Sequence, residues 1–148
     1  MIASPIEIID PRRNDPTGHG DYGTSRGTKK HRGFDLNGKP GTNIYAPFSG
    51  FITKIGYPYS FDLSFRYVEI TNDTYRTRLH YVAPDDLLKK GDRITIKDYV
   101  GGLQDVAGFW NKNKKKGQHL MRNHLHWEMW KNGLLTDPEP LLIKPEWL

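Results

Sequence analysis

Near its end the chain reads NHLHWEMW, and there His124, His126 and Glu128 alternate with Leu125, Trp127 and Met129. A period of two marks a β-strand whose faces meet different surroundings. One face here is apolar and suits a core. The other gathers two imidazoles and a carboxylate, where a strand that only needed solubility would more often carry Lys, Thr or Glu. Similar short runs, rich in Ile, Val, Tyr and Phe, occupy residues 43–46, 50–56, 67–72, 76–82, 93–96 and 125–130. They are separated by NGKPG, YPYS, TNDT, KKGD and KNG, which are turn-forming strings. The pattern predicts an all-β, mainly antiparallel sheet domain with an open groove.

Residues 1–30 follow neither period and read as an irregular segment, with one short strand at most around 6–9. Residues 84–90 form the one helix-like stretch, one or two turns long. Two connections are long, 57–66 and 101–123, and long connections in a compact domain are usually functional or mobile. The second leads straight into the histidine strand. No internal repeat or heptad pattern is present. We expect a single domain over residues 1–148, with its core at 31–142.

Composition narrows the chemistry. Hydrophobic residues at 36% and aromatics at 12% argue for a packed core rather than disorder. With no cysteine, disulfides, thiolate metal sites and cysteine nucleophiles are excluded, so any metal must be held by His, Asp or Glu. A net charge of +5 favours an anionic partner. The densest basic run, NKNKKKGQH, lacks the interleaved aromatics of a base-stacking surface, so it reads as a solvated loop and no nucleic-acid partner is expected. The start MIASPIEIIDPRRN has no charged head followed by an apolar stretch, so no signal peptide is read there, and no window reaches a membrane-spanning length.

The second dense polar motif is HRGFDL. If it is extended, His31, Gly33 and Asp35 share a face, but the two ends then lie roughly 13 Å apart, too far to meet one ion. A kink at Gly33 would bring them together. A helical i, i+4 pair is the rival geometry, and Gly33, Asn37, Gly38 and Pro40 argue against it. His, Asp and His around zinc leave one position for a water that the metal acidifies. His31, Asp35 and one of the two strand histidines could supply the ligands, leaving the other histidine for proton transfer. Taken singly, HxxxD and HxH are weak signals, each met more often as ordinary hydrogen-bonded surface.

The ordered series HRGFDL, GTNIYAPFSGFITKIG, LHYV, KKGDRI and NHLHWE resembles the lysostaphin/LytM-type zinc endopeptidases over residues 20–141. That family is marked by His-x-Gly-x-Asp, an Ala-Pro-x-x-Gly turn, a Gly-Asp turn and a final His-x-His strand. The resemblance implies one zinc ion on His31, Asp35 and His126, with His124 and His80 catalytic and Glu128 orienting a ligand. It implies peptidoglycan as the substrate, and we expect a monomer. Tyr22 and Arg26, upstream of His31, are candidate oxyanion donors; His19 and His119 match no family position. Without a leader, a phage lysin or virion component that reaches the wall by release or delivery is the expected setting. Two departures are visible. The family's usual Tyr-x-His-Leu is RLHYV here, and MRNH stands where Gly-Pro is usual. GDYGTSRG and YAPFSG are also similar to the leukocyte chemotaxin branch, which keeps the metal but is not known for proteolysis. That branch implies the alternative, a zinc-binding, non-catalytic module recognising wall peptide or a protein partner, and makes His80 the pivot between the two.

Overall fold

The computed structural model describes residues 2–15, 18–26, 29–115 and 120–142. Two small antiparallel hairpins come first, β1 (Asn14–Asp15) with β2 (Gly18–His19) and β3 (Ser25–Arg26) with β4 (Lys29–Lys30). The strands β5 (Phe34–Asn37), β6 (Asn43–Tyr45), β7 (Gly50–Gly56), β8 (Tyr67–Thr71) and β9 (Tyr75–His80) follow. After them come β10 (Val82–Pro84), β11 (Arg93–Ile94), β12 (Tyr99–Leu103) and a short helix α1 (Val106–Asn111). The histidine strand β13 (His124–Lys131) and β14 (Leu134–Thr136) complete the sheets. The fold is all-β and antiparallel, as the alternation predicts.

The largest sheet runs β11-β7-β8-β9-β13-β14, and β5 also pairs with β13. One edge of β13 is taken by β9 from His126 to Lys131. The opposite edge is shared, β5 pairing with its first half and β14 with its end. A smaller sheet, β10-β12-β6, supplies Val82, Val100, Leu103 and Ile44 to the same core.

Period-two alternation decides what faces that core. Leu125, Trp127, Met129, Leu79, Val68, Ile70, Ile52 and Leu36 are all fully buried in it. Each such side chain contributes roughly 1.5–3 kcal/mol of burial free energy. The polar tip of Trp127 is satisfied inside. Its Nε1–H donates to Thr77 Oγ1 at 2.8 Å, and the Thr77 hydroxyl donates to the Glu128 carbonyl at 2.7 Å.

The helix expected at 84–90 is absent. Pro84 closes β10, and the chain then turns tightly, with Leu88 N–H donating to the Asp85 carbonyl and Asp92 N–H to that of Lys89. Asp92 Oδ2 also accepts from Lys89 N–H, a side-chain bond that competes with helix. The helix lies instead at α1, inside the long 101–123 connection, where the Asp105 carboxylate caps it by accepting from Gly108 N–H at 2.8 Å. The expected strand at 6–9 reduces to a single bridge between Ile6 and Ile44. The strand read at 93–96 ends at Ile94.

Candidate metal centre

The alternation of β13 turns His124, His126 and Glu128 away from the core. Pairing with β5 sets Asp35 opposite His126, and pairing with β9 sets His80 opposite His126 on the other side. His31 precedes β5, and the chain bends at Gly33 between them. That bend folds the motif back on itself. His31 Nε2 lies 3.3 Å from Asp35 Oδ1 and 3.0 Å from His126 Nδ1, and His126 Nδ1 is 2.9 Å from Asp35 Oδ1. Only glycine fits at the bend, because a Cβ on Gly33 would stand 2.7 Å from both His126 Cε1 and the Trp127 carbonyl oxygen.

Hydrogen bonds at the far edges of the rings fix which nitrogens point inward. His31 Nδ1 faces the Asp21 carbonyl at 3.0 Å and must donate to it, which leaves Nε2 as the inward atom. His126 Nε2 donates to Glu128 Oε2 at 3.0 Å, which leaves Nδ1 as the inward atom. Two imidazole nitrogens and a carboxylate oxygen thus converge, all within 4.8 Å of one another. Donors at 2.0–2.1 Å from a tetrahedral zinc stand about 3.3 Å apart, close to the spacings found here. The donor set fits zinc, with a carboxylate orienting one ligand from behind.

The charges balance within the cluster. Burial pushes the Asp35 carboxyl upward, yet hydrogen bonds from His126 and His31 and the charge of His126 hold it well below the usual carboxylate range. For His126, burial acts downward and is outweighed by Asp35 and Glu128, which raise it to about 9. His124 is pushed down, chiefly by burial against the pull of Asp35. Its Nδ1 donates to the Arg122 carbonyl at 2.8 Å, so its Nε2 carries a lone pair 3.6 Å from Asp35 Oδ2. That arrangement holds a neutral base beside the three donors.

The remaining candidates fall in different places. Glu128 bridges His126 and His80, with its Oε1 3.4 Å from His80 Nε2. The His80 ring packs against those of His126 and Tyr67, and among the described residues its buried Nε2 makes no hydrogen bond beyond the 3.4 Å approach of Glu128. The Tyr22 hydroxyl donates to the Leu135 carbonyl, and Arg26 is engaged by Thr24 Oγ1 and the carbonyls of Ser25 and His19. His19 Nδ1 accepts from Asp21 N–H in the first hairpins. His119 lies outside the described residues. A residue that sequence reasoning missed is Arg12, whose Nη1 donates to Asp35 Oδ2 at 2.9 Å with both side chains buried. A PRR string in an aperiodic segment gives no signal of that contact.

Residues 29–138 match the family model for peptidase family M23. The chain belongs to this family. No curated protein matches it. Among solved structures, Helicobacter pylori Csd3 superposes with a TM-score of 0.66 at 18% identity, over 97% of this chain and 35% of that one. A zinc-containing peptidase from Vibrio cholerae gives 0.56 at 18% identity, over 92% and 39%. The antimicrobial peptidase lysostaphin from Staphylococcus simulans gives 0.62 at 17% identity, over 95% and 53%. The M23 chain therefore spans about a third of the length of the first two structures, and at these identities the likeness is one of fold. Among the described residues, no helix is long and apolar enough to cross a membrane.

Proposed function

We propose that this M23 chain is a zinc-dependent endopeptidase that hydrolyses peptide bonds of bacterial peptidoglycan. The observation that carries the reading is the convergence of His31 Nε2, Asp35 Oδ1 and His126 Nδ1 beside the lone pair of His124. Zinc held by those three ligands would polarise the scissile carbonyl and acidify a water. His124, neutral and held by the Arg122 carbonyl, accepts the proton of the attacking water. Asp35 Oδ2 then stabilises the resulting imidazolium from 3.6 Å. Glu128 and His80 keep the His126 ring in register from behind. The fold shared with lysostaphin supports a wall substrate, and the charge of +5 favours an anionic wall polymer. We place its action at the cell wall, reached by release or delivery as for a phage lysin or virion component.

The experiment is the loss of turbidity of purified sacculi with wild type, chelator-treated protein and His124→Ala. Clearing by wild type alone is expected. A second reading has one observation on its side: His80 lies against Glu128 and His126, whereas the ring that meets His124 belongs to Tyr81. On that reading the protein is a zinc-binding, non-catalytic module for wall peptide or a protein partner. Absence of clearing on several wall types, with one zinc still bound per chain, would select it.

A further inference from the structure

Strand alternation assigns Tyr81 to the wrong face for chemistry. In β9, Thr77 and Leu79 point into the core, Arg78 and His80 point to the site face, and the next residue should return to the core. It does not. Tyr81 has φ = 68°, a left-handed backbone that a non-glycine residue rarely adopts. The N–H groups of both Tyr81 and Val82 donate to the Arg66 carbonyl, at 2.8 and 3.1 Å, the two-against-one pairing of a bulge. Val82 takes the core position, fully buried, and Tyr81 joins His80 on the site side. Its ring meets that of His124 edge-on, with centroids 5.7 Å apart.

The hydroxyl of Tyr81 has a directed set of partners. It lies 2.9 Å from the Tyr59 hydroxyl, which is 3.3 Å from Trp110 Nε1. An indole N–H can only donate. The chain of bonds can therefore run from Trp110 to Tyr59 to Tyr81, leaving the Tyr81 O–H hydrogen for an incoming oxygen. Burial, with Tyr59 and Asp35 nearby, holds Tyr81 well above the ordinary phenol range, so the hydroxyl stays a neutral donor. Both partners come from the long connections, Tyr59 from 57–66 and Trp110 from α1. Strained backbone clusters where function over-determines the structure, and here the strain puts a hydroxyl-bearing ring beside the base.

We propose that Tyr81 is a catalytic residue that donates a hydrogen bond to the scissile carbonyl oxygen as it gains charge, its hydroxyl aimed by Tyr59 and Trp110, while His80 acts as a positioning residue through Glu128 and His126. The proposal rests on the peptidase reading above. It moves no proton at Tyr81; the hydroxyl keeps its hydrogen throughout.

The test compares zinc-loaded wild type, Tyr81→Phe, Tyr59→Phe and His80→Gln, with zinc content and circular dichroism recorded for each. Two readouts are taken: hydrolysis of sacculi, and calorimetric affinity for acetohydroxamate as a small oxygen-donor probe. Loss of an oxyanion donor typically lowers turnover by about 10²–10³-fold. Tyr81→Phe is expected to lower kcat by about a hundredfold with KM held within about twofold, and to weaken acetohydroxamate about tenfold, at one zinc per chain. Tyr59→Phe should move both readouts in the same direction by less, and it carries the test if Tyr81→Phe fails to fold. His80→Gln should loosen zinc through His126, and at one zinc per chain it should leave acetohydroxamate affinity within about twofold of wild type. Wild-type turnover and affinity in Tyr81→Phe, or a tenfold loss of probe affinity in His80→Gln, would overturn the assignment. If wild type clears no sacculi, the peptidase reading fails separately, and probe affinity alone decides Tyr81: a tenfold loss upholds the donor, and no change removes it.

Discussion

Arg12 and Asp35 form a buried ion pair at 2.9 Å, their side chains 5% and 1% exposed. The pair divides the labour of the carboxylate. Oδ1 faces His31 and His126, while Oδ2 faces Arg12 and, at 3.6 Å, His124. Arg12 thereby keeps Asp35 from rotating Oδ1 away from His31 and His126. Gly20 permits the close approach, since a Cβ there would fall 2.8 Å from Arg12 Cβ and 2.9 Å from Asp35 Cβ.

Breaking one side of a buried pair leaves the other charge uncompensated, at a cost of about 3–5 kcal/mol. Arg12→Met should therefore destabilise the metal-free protein by about 3 kcal/mol. Zinc held by Asp35 would bring positive charge to the same carboxylate, so the zinc-loaded protein should then lose less. Urea unfolding of wild type and variant, with and without zinc, reads the difference. Equal losses in both forms would mean that Arg12 is a structural cation with no coupling to the site.

At Gly33, a methyl group would press on the His126 ring and on backbone, and backbone cannot step aside. Gly33→Ala is expected to weaken zinc about tenfold or more by displacing that ring. Overpacking of this size costs about 1–3 kcal/mol in stability. Zinc content after dialysis against a weak chelator is the measurement, and full retention of zinc would show that the bend can shift without moving the ligand.

How much of this could be read beforehand follows from the range of each interaction. The polar face of β13 was legible because a strand repeats every two residues, and the kink at Gly33 because only glycine accepts a close neighbour there. Which strand histidine meets Asp35 and His31 was not a matter of spacing. It depends on register, which sets His126 and not His124 opposite Asp35. Arg12 was illegible because its contact arises where Pro11 and Arg12 cross β5 by a bridge and a backbone bond. The side chosen by Tyr81 depends on one backbone dihedral, which no period reports. The helix α1 stayed hidden because six residues cannot display a 3.6 repeat clearly.

Thr77 ties the core to the site floor, fully buried, accepting from Trp127 Nε1 and donating to the Glu128 carbonyl. Thr77→Val keeps the shape but leaves the indole N–H and that carbonyl without this partner. An unsatisfied buried group costs about 1–3 kcal/mol, so a loss of about 2–3 kcal/mol is expected in thermal or urea unfolding. A neutral result would mean that water or a local shift satisfies the indole.

On the opposite face of the sheet from Thr77, Glu69 Oε2 accepts from Arg78 Nε at 2.8 Å and Oε1 from the Thr53 hydroxyl at 2.8 Å. Burial pushes the Glu69 carboxyl upward, but Arg78 and Thr53 prevail and hold it below its ordinary 4.5. A carboxyl depressed in the folded state stabilises fully above its unfolded value, and that contribution is lost as pH falls through the folded value. Glu69→Gln should thus be less stable than wild type at pH 7, by about 1–2 kcal/mol for a charge-assisted bond. Below pH 4.5 the gap should close, because wild type is then losing what the variant never had. Urea midpoints of both proteins from pH 7 down to about pH 3 test the sign. A gap that stays constant across that range would assign the loss to packing of the side chain and not to its charge.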